Sequence, residues 1–221
     1  MTFKTKVYLS FLSIPVCFGA LIFLPAWTLD FWQGWVYIAT WGVTTFLMCV
    51  YMVNKDPQLL RRRFKSREPR TRQLVFMIAI RAAFVAPLVI AGFDHRLGWS
   101  HVPLAIQVVG QVVMLGGMLG IFETIRENTF AATTVTVEPG QRVISTGLYS
   151  IVRHPMYAAA MLTQIATPVA LASWWGFPAI GVGIAAVVLR ILDEEKLLAA
   201  ELPGYTQYRS VTRWRLIPRI W

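Results

Sequence analysis

Acidic residues, cysteines and histidines are all scarce in this chain of 221 residues. It has 11 Asp and Glu against 21 Lys and Arg, with 2 cysteines and 3 histidines. Two cysteines are too few for a disulfide scaffold in a chain of this length, and they have no metal-ligand spacing. We therefore predict neither a disulfide framework nor a metal site. Charged residues make up only 14% of the chain, against about 25% in an average soluble domain.

Apolar residues are correspondingly abundant. They account for 56% of the chain, and the mean hydropathy is +0.55. This apolar content excludes a disordered chain. A net charge of +10 would suit a nucleic-acid binder, but no soluble domain with basic and aromatic residues interleaved is present to carry that function. The composition indicates an integral membrane protein with its positive charge concentrated on one side.

Five apolar runs are long enough to cross a bilayer, which takes about 20 residues. They cover residues 7–27, 31–53, 74–93, 102–125 and 156–192. The fifth run is too long for one crossing, and Gly176 and Pro178 interrupt it beside two tryptophans. Gly and Pro break helices, and Trp prefers the lipid–water interface. We predict an all-α, polytopic membrane fold with about five transmembrane helices and a C-terminal helical hairpin.

The basic residues predict the orientation of these helices. With the N-terminus in the cytoplasm, 19 of the 21 Lys and Arg residues lie on the cytoplasmic side, as the positive-inside rule requires. The loop 54–73 holds eight of them, including Arg67, and we expect its cluster Arg61–Arg63 to bind anionic lipid headgroups. Arg81 falls within the third run, where a charge is costly. It either lines a substrate cavity or snorkels towards the cytoplasmic side.

The two ends of the predicted hairpin return to the same place. Residues 153–157 and residues 190–195 should therefore be neighbours on the cytoplasmic side. Arg190 and Glu194 are four apart and share one helix face, whereas Glu195 is turned about 100° away. Taken alone, the acids Glu194 and Glu195 beside Arg190 are typical of a solvated helix end with i,i+4 pairing.

Taken together, these motifs resemble a known family. They are Gly147-x-Tyr149-x-x-x-Arg153-His154-Pro155-x-Tyr157, Arg190-x-x-x-Glu194-Glu195, Tyr205-x-x-Tyr208 and Leu216-Ile217-Pro218. Their order, their spacing and the apolar hairpin between them resemble the isoprenylcysteine carboxyl methyltransferase family. Wider relatives of that family include the phospholipid N-methyltransferases.

The resemblance implies an S-adenosylmethionine-dependent methyltransferase built in the membrane, with a cytoplasmic active site. Its acceptor would be a lipophilic small molecule or lipid-modified substrate that enters from the bilayer. Residues 1–100 would form an N-terminal region of helices, and residues 101–221 the catalytic region. The implied cofactor contacts are Gln141, Arg142, Val143, Ile144, Tyr149, Arg153, His154, Pro155, Met156, Tyr157 and Glu194.

The acceptor determines which residues act in catalysis. The resemblance implies that Arg190 faces the substrate, where it would orient a carboxylate for O-methylation of an isoprenylcysteine-like acceptor. An amine acceptor, as in phospholipid N-methylation, would need a proton acceptor, and Glu195 is the candidate. Arg81 is a further candidate for substrate binding.

Two other classes of protein remain to be weighed, and the oligomeric state stays open. A membrane sterol or enone reductase that uses NADPH would be expected to show an Arg-Asp followed by a Cys and a Lys-Tyr in place of the glutamate pair, and this pattern is absent. A small transporter would be expected to show internal repeats or charges near the midplane of several helices. Only Arg81 meets that expectation.

Overall fold

The computed structural model describes residues 3–65, 68, 70–131 and 134–221. Arg67, one of the predicted cytoplasmic cations, lies outside the described residues. The described residues form an all-α protein without strands, which confirms the predicted fold class. Its helices are α1 (Phe3–Ala26), α2 (Trp32–Lys55), α3 (Pro57–Lys65), α4 (Thr71–Leu97), α5 (Leu104–Glu127), α6 (Pro155–Ala170), α7 (Phe177–Glu201) and α8 (Tyr205–Val211).

The helices α1, α2, α4 and α5 are long and apolar enough to cross a membrane. A helix of 24 residues, such as α1, is about 36 Å long, which exceeds the roughly 30 Å of a bilayer's hydrocarbon core. Many large apolar side chains on these helices point outwards, among them Val16, Phe46 and Val112. An outward apolar surface is what lipid contact requires. The chain is therefore an integral membrane protein, as its sequence predicts.

The helices α6 and α7 form the predicted hairpin. They are separated at residues 171–176, where the sequence has its tryptophan pair and glycine, and each begins with a proline in its first turn. The 16 residues of α6 span about 24 Å, which is short for a full crossing. It packs closely on α5 because Gly117 has no side chain. A Cβ there would lie 2.8 Å from the Ala159 carbonyl oxygen.

The predicted loop 54–73 is in part a helix. Asp56 accepts a hydrogen bond of 2.9 Å from the Leu59 N–H, as an N-cap residue does, and Pro57 suits the first turn. Leu59 and Leu60 are fully buried against α2 and α5. The N-cap, the proline and the two buried leucines stabilise α3. Its residues Arg62 and Arg63 lie beside the segment that follows α5.

One end of the helix bundle gathers most of the polar material, and we refer to it as the polar end. It carries α3, the residues that connect α5 to α6, and the tail after α7. The start of α4 joins it through the Gln73 side chain, which donates a hydrogen bond of 2.6 Å to Asp193 of α7. Asp193 also pairs with Arg70 at 3.0 Å. These contacts fix the first turn of α4 against the last turns of α7.

Candidate active site

A cavity of about 350 Å³ lies at the polar end. Its walls come from α4, the connection between α5 and α6, the first turn of α6, the last turns of α7, and α8. The predicted site residues that line it are Arg81, Gln141, Arg142, Val143, Ile144, Tyr149, Arg153, His154, Pro155, Met156, Tyr157, Arg190 and Glu194. The fold thus brings the eleven predicted cofactor contacts and the two substrate-facing arginines to one cavity. Glu195 is not among the lining residues.

The first turn of α6 is held in place by the tail of the chain. The Arg153 N–H donates to the Trp214 carbonyl at 2.8 Å, and the His154 N–H donates to the Arg215 carbonyl at 3.0 Å. Proline at position 155 has no N–H to satisfy, so it starts the helix without loss. The side chains of Arg153 and His154 are both buried. Their positions at the cavity wall therefore depend on residues about 60 positions later in the chain.

A chain of hydrogen bonds connects Arg190 to Glu194 through Tyr157. The Arg190 Nε donates to the Tyr157 hydroxyl oxygen at 2.7 Å, and that hydroxyl donates to Glu194 Oε2 at 2.8 Å. Arg190 and Glu194 are one turn apart on α7, so Tyr157 of α6 bridges the two arms of the hairpin. This arrangement confirms that the hairpin ends are neighbours. It also fixes a guanidinium and a carboxylate at set positions on the cavity wall.

Glu195 lies behind the cavity wall in a buried ionic cluster. It is 3% exposed, and its Oε1 accepts from Arg153 Nε at 2.7 Å and contacts His154 Nε2 at 3.2 Å. Its Oε2 accepts from Arg215 Nε at 3.0 Å. Glu195 belongs to the polar last turns of α7, beyond the apolar run. This position does not suit the proton acceptor that the sequence suggests.

The ionisation of Glu195 follows from these partners. Burial alone would raise the pKa of its carboxyl group, but the hydrogen bonds from His154 and Arg153 outweigh burial and lower the pKa to about 2. The carboxylate is therefore fully ionised at neutral pH, and its oxygens are already engaged. Its place in the structure is that of an anchor for the first turn of α6 and the tail.

Tyr149 links three parts of the cavity wall. Its hydroxyl oxygen accepts a hydrogen bond of 2.9 Å from Asn128 Nδ2, and its carbonyl oxygen accepts one of 2.7 Å from the Tyr208 hydroxyl. Burial raises the pKa of Tyr149 to about 12, so its hydroxyl is neutral at physiological pH. Its ring lines the cavity and offers an aromatic face to a ligand.

Arg81 lies in α4, ten residues after the helix begins, or about 15 Å along its axis. It lines the cavity together with Met77 and Ile80, and its side chain is exposed on the helix surface. The part of the cavity wall that α4 supplies is thus apolar at Met77 and Ile80 and charged at Arg81.

Several cavity residues are not among the predicted site positions. They include Arg63, Asn128, Phe130, Leu198, Leu202, Tyr205 and Tyr208. Tyr205 and Tyr208 already stand in the motif that carries the family resemblance, so the sequence contained a signal for them. Arg63 has no such signal, because its approach to the cavity depends on α3.

The fold and the cavity define a polytopic membrane protein with a candidate active site at one end of its helix bundle. The sequence of that site resembles a known family. Residues 105–200 match the model of the isoprenylcysteine carboxyl methyltransferase (ICMT) family. The match runs from α5 to the end of α7, and it includes every predicted site residue except Arg81. A comparison with curated proteins finds no match. The family match supports a methyltransferase activity for this membrane protein.

Proposed function

We propose that this protein transfers a methyl group from S-adenosylmethionine to the carboxylate of a lipophilic, isoprenylcysteine-like acceptor. In this proposal the polar end faces the cytoplasm, as the distribution of basic residues predicts. The observation that carries the choice of acceptor is the charge of the cavity wall, and the choice of cofactor is supported by the functional groups that the wall presents.

The wall carries groups that suit each part of S-adenosylmethionine. Glu194 can accept hydrogen bonds from its amine or ribose hydroxyls, and the His154 ring can donate to its carboxylate. The rings of Tyr149 and Tyr157 suit an adenine or a sulfonium. When bound, the cofactor supplies an electrophilic methyl group. The Arg153 guanidinium is already bonded to Glu195 and to the Thr212 and Arg213 carbonyls, so we assign it a positioning role.

Arginines outnumber acids on the cavity wall. Among the described residues that line it, five are arginines and a single one, Glu194, is an acid. The arginines are Arg63, Arg81, Arg142, Arg153 and Arg190. This field attracts an anionic acceptor and repels a protonated amine. The wall therefore favours a carboxylate over a phospholipid amine.

A carboxylate acceptor also fits the position of Glu195, the predicted proton acceptor, behind the cavity wall. A carboxylate is already ionised at neutral pH, so it needs orientation and exclusion of water rather than deprotonation. Arg190 is suited to orient it, because the hydrogen bond to Tyr157 fixes the guanidinium. An amine acceptor would have to lose a proton, and Glu195 lies outside the cavity. Arg81, with Met77 and Ile80, lies where an apolar tail would leave the polar part of the cavity.

Methyl transfer to a matched pair of acceptors tests this proposal. The purified protein in detergent is given radiolabelled S-adenosylmethionine and either a farnesylated cysteine with a free carboxylate or the same compound as its carboxamide. We expect labelling of the carboxylate alone, and no labelling of phosphatidylethanolamine. Binding of S-adenosylmethionine and NADPH is measured in parallel. Tight NADPH binding without any response to the methyl donor would refute the proposal, and so would methylation of phosphatidylethanolamine in place of the carboxylate.

A further inference from the structure

The segment that follows α5 forms one wall of the cavity with little regular structure of its own. Between residues 134 and 144, the backbone pairing of the described residues is a single turn, in which the Gln141 N–H donates to the Glu138 carbonyl at 3.0 Å. Backbone groups left without such partners must be satisfied by other groups. We refer to residues 128–131 and 134–144 as the wall segment. Many residues of the cavity wall belong to it.

Arg62 of α3 contacts the wall segment in three ways. Its Nη1 donates to the Thr129 carbonyl at 2.8 Å, and its Nε pairs with Glu138 Oε2 at 2.8 Å. The guanidinium also lies over the Phe130 ring, 4.6 Å from the centroid. A planar guanidinium can make these contacts at once because its donors lie in a fixed fork, which a lysine lacks.

Two further residues, Arg63 and Glu68, also contact the wall segment. The Arg63 Nη1 donates to the Ala131 carbonyl at 2.8 Å, and burial lowers the pKa of Arg63. The buried carboxylate of Glu68 accepts from the Val135 N–H at 3.0 Å. Two arginines and one carboxylate from residues 62–68 thus satisfy three main-chain groups of the wall segment.

We propose that Arg62, Arg63 and Glu68 form a clamp that positions the wall segment for binding the cofactor. The proposal rests on the proposed function, because the predicted cofactor contacts Gln141–Ile144 belong to the wall segment. The clamp residues act through the segment: Arg62 and Glu68 are positioning residues, and Arg63 in addition lines the cavity. With the clamp intact, the segment is ordered before the ligand arrives, so that binding costs less conformational entropy.

The clamp changes the interpretation of the basic cluster at Arg61–Arg63. The sequence favours lipid headgroups as partners for all three arginines. In the structure, Arg62 and Arg63 are engaged with the protein, whereas Arg61 is exposed beside them on the same helix. Arg61 is therefore a matched control. It has the same charge and lies on the same helix, and among the described residues no hydrogen bond or ion pair connects it to the wall segment.

Substitution of Arg62 tests the clamp. In Arg62→Ala, we expect faster amide hydrogen exchange in the wall segment. The Kd and the KM for S-adenosylmethionine should rise about tenfold, the scale of one charge-assisted hydrogen bond, while kcat changes little. Arg62→Lys keeps the charge opposite Glu138 and should recover part of this loss. Arg61→Ala should match the unsubstituted protein in exchange, Kd and KM. Thermal unfolding confirms that each variant is folded.

The outcomes separate the clamp from the other possibilities. Unchanged exchange in Arg62→Ala would overturn the proposal, as would faster exchange with an unchanged Kd for S-adenosylmethionine. Arg61→Ala and Arg62→Ala can also be compared in vesicles that contain phosphatidylserine. An equal loss of affinity for S-adenosylmethionine in the two variants would assign the cluster to lipid headgroups instead. The exchange measurement needs no ligand. If the unsubstituted protein fails to bind S-adenosylmethionine, the proposed function fails, and exchange still decides whether the clamp orders the wall segment.

Discussion

Replacing Glu195 with glutamine should weaken the fold in a manner that depends on pH. The carboxylate is buried among Arg153, His154 and Arg215, and its pKa is lowered from 4.5 to about 2. A group with a lowered pKa stabilises the folded state above its unfolded pKa, and this stabilisation is lost as the pH falls towards the folded value. A shift of this size corresponds to about 3 kcal/mol.

Glutamine has nearly the same shape, but it cannot offer two charged oxygens to three cationic or polar partners. We therefore expect Glu195→Gln to lower the free energy of unfolding by about 3 kcal/mol at pH 7. The difference between the two proteins should shrink between pH 4.5 and pH 2, because the native carboxylate then becomes protonated. Thermal unfolding in detergent, followed by circular dichroism at a series of pH values, measures both quantities.

Two results would refute this reasoning. The first is a Glu195→Gln protein as stable as the original at pH 7. The second is a stability difference that stays constant down to pH 2. The same variant addresses catalysis, since a catalytic base would give kcat/KM a pH dependence that disappears on substitution. We expect the shape of that profile to be unchanged, because Glu195 does not line the cavity.

Further predictions concern single contacts of the site. Tyr208→Phe should lower the free energy of unfolding by about 1 kcal/mol in thermal melts, because it loses the hydrogen bond to the Tyr149 carbonyl. Tyr205→Phe should leave that free energy unchanged, because the Tyr205 hydroxyl has no hydrogen-bond partner among the described residues; a loss equal to that of Tyr208→Phe would contradict this. Glu194→Ala should weaken S-adenosylmethionine binding in titration calorimetry, with a loss of stability no larger than that of Tyr208→Phe, because one hydrogen bond from Tyr157 is lost. Arg190→Ala should reduce kcat for the carboxylate acceptor in the transfer assay, and an unaltered kcat would exclude an orienting role.

The membrane-embedded part of the fold was predictable because lipid sets a simple length requirement. The apolar runs 31–53 and 102–125 correspond to α2 and α5 within a few residues. The break at Gly176 and Pro178 was equally predictable, because the apolar run 156–192 is too long for one crossing of the membrane. From the hairpin alone it followed that residues 153–157 lie near Arg190 and Glu194, and hydrogen bonds through Tyr157 confirm it.

The parts that sequence reasoning missed depend on contacts between distant segments. The position of Glu195 on α7 was predictable, but its partner Arg215 comes from a tail without periodic pattern. The short helix α3 has an overall polar composition, and the buried side chains described in it are Leu59 and Leu60. A cluster of arginines beside a membrane is the usual signature of headgroup binding. Only the folded chain shows that Arg62 instead contacts the Thr129 carbonyl oxygen and the Glu138 carboxylate.

The attachment of the tail to the first turn of α6 has a consequence for how the protein is made. The acceptors for Arg153 and His154 are the carbonyls of residues 212–215, which are synthesised after α1 to α7. Insertion of these helices and assembly of the site are therefore separate events in time. A nascent chain arrested at the end of α7 should hold its membrane helices in the bilayer, while Arg153 and His154 still lack these acceptors. The first turn of α6 is then completed only when residues 212–215 arrive.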